Sequence, residues 1–222
     1  MPPRLRPTAS LATDAVLVGD PGRALLLAQE LLEQPKMSNH SRGLWGYSGQ
    51  TPAGRPLTIQ STGIGGPSAT LVLGELAELG VRRAVRVGTC TGLGEAFGLG
   101  EILIVETAIA AGGSAAAHGV ALDEPVTPDL PLTEGLAKAP DGFRQATVAS
   151  FDSHPGDQAP PPGAVAADMQ TAPLLARART LEIEAAALLI VAEKAGGDHL
   201  EKEALELAEK RAGLAARAVL ST

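Results

Sequence analysis

The sequence reads as an α/β protein, a layered sandwich of helices around a mostly parallel or mixed sheet. Three observations lead there. Short apolar runs alternate along the chain with segments of helical spacing. The turns between them carry glycine and proline. At 222 residues, 45% of them hydrophobic, the chain can bury one α/β core.

The elements follow in order. Residues 1–13 read as an arm. Ala15-Val16-Leu17-Val18 is a strand that stops at Gly19-Asp20-Pro21-Gly22. Asp20 can cap a helix with Pro21 at its first position, and Leu25, Leu26, Leu31 and Leu32 carry that helix to about Leu32. Residues 44–49 and 56–60 read as strands around a turn at 52–55. Gly63-Ile64-Gly65-Gly66-Pro67 is a glycine loop, followed by a helix from about Pro67 to Leu79 that Gly80 stops. Residues 85–88 and 101–106 are strands. The stretch 110–145 is rich in Gly, Ala and Pro and has no clear period, whereas 146–151 reads as a strand. Pro160-Pro161-Pro162-Gly163 marks a loop. Residues 169–181 read as a helix with Pro173 in its first turn, 185–192 as a buried strand, and Leu200, Ala204, Leu207, Ala208, Leu214 and Ala215 as the apolar side of a last helix.

Arg86 interrupts an apolar strand, Ala84-Val85-Arg86-Val87-Gly88-Thr89. A buried guanidinium is costly without a partner, and its planar fork of donors matches phosphate or carboxylate. Two partners satisfy it equally: an anionic ligand at the carboxyl edge of the sheet, or an internal Asp or Glu. An edge position facing solvent is a third arrangement. Two further segments point to an anion. Gly19-Asp20-Pro21-Gly22-Arg23 opens a helix, where free backbone N–H groups and the dipole favour negative charge. Arg42 lies in the polar turn Asn39-His40-Ser41-Arg42-Gly43.

Composition narrows the partners. With 18 basic and 25 acidic residues the net charge is −7, which disfavours nucleic acid and anionic membrane surfaces. Aromatic residues are only 2% of the chain, too few for base-stacking platforms. The single cysteine, Cys90, allows no internal disulfide and reads as a small buried hydrophobe rather than a nucleophile. The four histidines show no metal-ligand spacing, so no metal is expected. The glycine loop lacks the spacing and later acidic residue of a dinucleotide site. No signal peptide or apolar span is visible, and cytoplasm is the expected location.

Four motifs in order, Gly-Asp-Pro-x-Arg, Asn-x-x-Arg-Gly-x-x-Gly, Ser-Thr-Gly-Ile-Gly-Gly-Pro-Ser and Arg-Val-Gly-Thr, resemble the nucleoside phosphorylase-I family, which includes hexameric bacterial purine nucleoside phosphorylases and uridine phosphorylases. The likeness is strong over 16–105, fragmentary over 110–165, and returns over 169–193. It implies a single domain over 1–222, a three-layer α/β/α sandwich with a mixed central sheet, and phosphorolysis. In that reaction inorganic phosphate attacks C1′ of a ribonucleoside, giving ribose 1-phosphate and free base, with no cofactor beyond phosphate as co-substrate. By position Gly19, Arg23, Arg86 and Thr89 match the phosphate ligands. Arg42 matches an arginine lent by a neighbouring subunit, so a homodimer or a hexamer built as a trimer of dimers is implied. Arg86 and Glu193 are the catalytic candidates, Met169 and Gln170 the ribose candidates, Phe151 and His154 the base candidates.

The departures from the family pattern are specific. Gln170 stands where the family has a Glu that grips ribose hydroxyls. The amide loses the charge that favours a cationic sugar, so slow turnover is expected, and Gln170→Glu is expected to speed it. Glu193 stands where purine enzymes carry an Asp that protonates the leaving base. Asp157-Gln158-Ala159 lacks the Arg with which the uridine branch reads pyrimidines. Together the last two lean slightly toward purine. The other readings are a catalytically weak or inactive nucleoside- and phosphate-binding homologue and, disfavoured by the arginines, a nucleosidase that uses water. An N-terminal His of the family is absent, and Arg4 falls nearby.

Overall fold

The computed structural model describes residues 4–139, 142–155 and 159–222. It contains strands β1 (Asp14–Val18), β2 (Glu33–Asn39), β3 (Gly46–Gln50), β4 (Pro56–Ser61), β5 (Arg83–Gly92), β6 (Ile102–Ala110), β7 (Pro125–Val126), β8 (Arg144–Ser150), β9 (Ala166–Asp168) and β10 (Glu184–Lys194). The helices are α1 (Pro21–Leu31), α2 (Gly65–Glu78), α3 (Leu130–Ala137), α4 (Thr171–Thr180) and α5 (Lys202–Leu220), with 3-10 turns at Ser41–Gly43 and Gly113–His118.

The mixed sheet has two parts that share β5. One part is an open ribbon, β5-β1-β4-β3-β2, in which β1 lies parallel to both β4 and β5. The other closes on itself. β5 pairs parallel with β10, β10 antiparallel with β6, β6 parallel with β8, β8 parallel with β9, and β9 antiparallel with β5. Closure removes two exposed strand edges.

Period-two alternation sends each strand's side chains to opposite faces. Val16, Val18, Val85 and Val87 pack under α1, α3 and α5 through Leu27, Leu31, Leu132 and Ala212. Ala15, Leu17, Ala84 and Leu189 pack under α2 and α4 through Leu73, Leu76, Leu174 and Leu175. These two helical layers with the sheet between them are the three-layer sandwich. Arg86 shares the α2/α4 face with Ala84, by the same alternation.

Three regions differ from the sequence reading. The arm is not free: Leu5 is fully buried, its N–H and that of Arg4 donate to the Glu75 carboxylate on α2, and Thr8 N–H donates to Ser38 O. β2 has no apolar alternation because it is the outer strand, where Pro35 and polar side chains are tolerated. The stretch 110–145 holds a 3-10 turn, β7, α3 and the start of β8. α3 is only eight residues long, capped by Asp129, whose carboxylate accepts from Leu132 N–H.

Candidate active site

The parallel strands β1, β4, β5 and β10 end at one edge, and a cavity of about 590 Å³ opens there. The turn after β1 brings Gly19, Asp20 and Arg23 into its wall, and β5 brings Arg86, Thr89 and Thr91. The 63–65 loop forms one side. Gly63 and Gly65 have φ of 76° and 80°, which side chains rarely adopt. Asp168, Met169 and Gln170, between β9 and α4, form another side, and His154 and Glu193 the far end.

Arg86 is 4% exposed, and its guanidinium is held on three sides. Nη2 donates to Asp168 Oδ2 at 3.0 Å, Nη1 to Gln170 Oε1 at 2.7 Å, and Nε to Thr171 Oγ1 at 3.2 Å. The internal carboxylate, one of the two partners the sequence left open, is therefore present. Burial pushes the guanidinium below its ordinary pKa; Asp168 offsets part of this, and the nearby Arg23 charge adds to the depression. Gly88 makes the arrangement possible. A Cβ there would lie 2.5 Å from Arg86 Nη2, because residues two apart in a strand share a face.

Asp168 is the hub. Its Oδ1 accepts from Ser150 Oγ at 2.5 Å, and its Oδ2 from Thr171 Oγ1 at 2.6 Å as well as from Arg86. The N–H groups of Gln170 and Thr171, which open α4, also donate to it at 3.2 and 3.1 Å. From the sequence, Asp168 is a doubtful substitute for the missing ribose Glu, being two residues before Gln170 rather than at its position; its place just before a helix start is also a capping signal.

Gln170 is 4% exposed and spent on the protein. While Oε1 accepts from Arg86, Nε2 donates to Gly63 O at 2.6 Å and Gly65 O at 3.3 Å. Only an amide can do both. A glutamate here would face two carbonyl oxygens and stand beside Asp168. These contacts argue against the expectation that Gln170→Glu speeds turnover.

Arg23 is also paired. Its Nε donates to Glu209 Oε1 of α5 at 2.5 Å, and Nη1 lies 3.5 Å from Val87 O. Its backbone N–H donates to Asp20 Oδ1, so the cap of α1 is occupied by its own aspartate.

At the far end, a bulge in β10 skips Ala192 in the pairing with β5, so that Val191 faces Cys90 and Glu193 faces Thr91. Bulges re-aim side chains. Thr91 Oγ1 donates to Glu193 Oε1 at 3.0 Å, while His154 Nε2 and His199 Nδ1 lie 3.6 Å from its two oxygens. Thr91, which lines the cavity, and His199, beside Glu193, are residues the sequence analysis did not single out. Burial pushes the Cys90 thiol well above its usual pKa, which leaves it a neutral packing group.

Two site candidates lie elsewhere in this chain. Phe151 is 2% exposed and packs with Ala149 and Ala167; Ala167 lines the cavity, and the Phe151 ring lies behind it rather than in the wall. It is not among the residues that line the cavity. Arg42 is exposed, with a φ of 61°, and lines an adjoining cavity of about 490 Å³ with Arg4, Leu44 and Leu71; Ile64, Gly65 and Met169 line both cavities. The stretch Asp157-Gln158, read for pyrimidine recognition, lies outside the described residues. No described helix is long and apolar enough to cross a membrane.

Residues 13–222 match the sequence profile of the phosphorylase superfamily. The chain belongs to that family. It is 42% identical over 81 residues to a DeoD-type purine nucleoside phosphorylase of Oceanobacillus iheyensis, and 39% identical over 90 residues to one of Clostridium beijerinckii. These matches cover 36% and 40% of this chain and only 34% and 38% of the relatives' length. In fold it is similar to the crystal structure of uridine phosphorylase from Vibrio fischeri ES114, with a TM-score of 0.81, 21% identity, and coverage of 95% of this chain and 92% of that one.

Proposed function

We propose that this chain, as one domain, catalyses phosphorolysis of a ribonucleoside by inorganic phosphate, with a slight lean to purines. The observation that carries this reading is that Gly19, Arg23, Arg86, Thr89, Met169, Gln170, His154 and Glu193, drawn from five separate segments, line one cavity at the carboxyl ends of parallel strands. Phosphate would sit against the Gly19 turn, Thr89 and the two guanidiniums. A phosphate oxygen attacks C1′, the bond from C1′ to the base breaks, and Glu193 as a carboxylic acid gives its proton to the departing base. Met169 would pack on the sugar and His154 on the base. The guanidiniums hold the nucleophile in place and stabilise the charge that develops there. The lean to purine rests on Glu193 at the cavity wall and on the purine enzymes among the relatives.

No cofactor is required by this chemistry. Arg42 would act in a homodimer or a hexamer, reaching a neighbour's phosphate, and the cytoplasm is the proposed location. A second reading is favoured by one observation: both phosphate arginines already hold internal carboxylates, and the Gln170 amide is fully occupied. That reading is a weak or inactive homologue that binds nucleoside and phosphate. Assays of purine and pyrimidine nucleosides, each with and without phosphate, test both. Phosphate-dependent release of base supports the first; binding of phosphate and nucleoside without release supports the second; release of base without phosphate overturns both.

A further inference from the structure

Glu209 lies in the middle of α5, 186 residues from Arg23 in sequence, and is 6% exposed. Its carboxylate takes the Nε edge of the Arg23 guanidinium at 2.5 Å, and Val87 O sits by one Nη1 proton. Among the described residues, Nη2 donates to no protein group. An arginine held by Nε cannot turn its fork, because the guanidinium is planar and its donors are fixed relative to one another. The held edge faces the helix layer, and the residue itself lines the cavity beside Arg86.

We infer that Glu209 is the positioning residue of the phosphate site: by holding Nε it fixes the direction of the free Nη donors of Arg23 toward bound phosphate. The inference rests on the phosphorylase reading for its ligand. It follows from the geometry of the contact rather than from its charge, since the charge of Glu209 by itself opposes a phosphate dianion. α5 thereby contributes to phosphate affinity although Glu209 does not line the cavity.

Three variants separate reach from charge. Glu209→Gln keeps the length and an acceptor oxygen and removes the charge. Glu209→Asp keeps the charge and shortens the reach by one methylene. Glu209→Ala removes both. The measurement is calorimetric titration of each folded variant with inorganic phosphate, paired with KM for phosphate, KM for nucleoside and kcat where turnover is present. Glu209→Gln is expected to bind phosphate as tightly as the unmodified protein or tighter. Glu209→Asp and Glu209→Ala are expected to weaken it by roughly tenfold or more, the scale of a lost charge-assisted hydrogen bond, with KM for nucleoside unchanged. Should Glu209→Ala fail to fold, the order of Gln against Asp decides. If Asp binds phosphate as well as or better than Gln, the positioning role is wrong while the phosphorylase reading stands. A parallel loss of phosphate and nucleoside binding marks a purely structural role and overturns the inference. If the unmodified protein binds no phosphate at all, the phosphorylase reading itself falls, and the inference with it.

Discussion

The two ends of the cavity are built on different principles. At the Arg86 end the side chains of Arg86 and Asp168 are 5% and 1% exposed, and each makes several bonds to the other members of its cluster. At the Glu193 end the side chains of His154 and Glu193 are 58% and 28% exposed, held by a loop and by the residue after a bulge. A buried polar cluster is costly to disturb, because removing one partner leaves the others desolvated and unpaired. An exposed pair is screened by water and contributes little to stability. Stability and function should therefore be inseparable at the first end and separable at the second.

Substitutions at both ends break or sharpen that contrast. The largest effect is expected for Asp168→Ala, which strands a buried guanidinium; the loss should be roughly 3–5 kcal/mol in urea unfolding. A loss under about 1 kcal/mol, the scale of an exposed pair, would erase the distinction between the two ends. Next is Phe151→Ala, expected to cost about 3 kcal/mol as a core truncation while the ratio of activities on purine and pyrimidine nucleosides stays the same. A change in that ratio would return Phe151 to the base site. Gln170→Glu should cost about 1–3 kcal/mol, through two carbonyls that lose their donors, and should slow phosphorolysis. A tenfold faster variant would show that ribose, not the 63–65 loop, is the partner of this side chain. The smallest change in stability belongs to Glu193→Gln, within about 0.5 kcal/mol, yet kcat on purine nucleosides should fall. An unchanged kcat would remove Glu193 as the proton donor.

Most of the strands and helices could be read from local pattern. The Asp20-Pro21 start of α1 and the run into β10 stand close to where they were expected, because capping and burial leave short-range marks. β2 and α3 could not be read, the first because an outer strand needs no apolar face, the second because two turns of helix are too short to show a period. In the site, Gly88 two residues after Arg86 was a readable sign that the guanidinium lies back along its own strand. Thr89 and Thr91, two apart, were a readable sign of a shared face.

From the sequence alone came the alternation of layers, the strand carrying Arg86, and the condition that this arginine, once buried, must meet an anion. Burial energetics makes that demand wherever the partner is. Which anion meets it was decided only by the tertiary structure. Asp168 and Arg86 are 82 residues apart, and Arg23 and Glu209 are 186 apart. Pairings at such separation leave no periodic trace in either segment. They arise where the ends of β1, β5 and β9 and the face of α5 are brought together by the packing of the whole core, and the same packing gives the Gln170 amide its partners in the 63–65 loop.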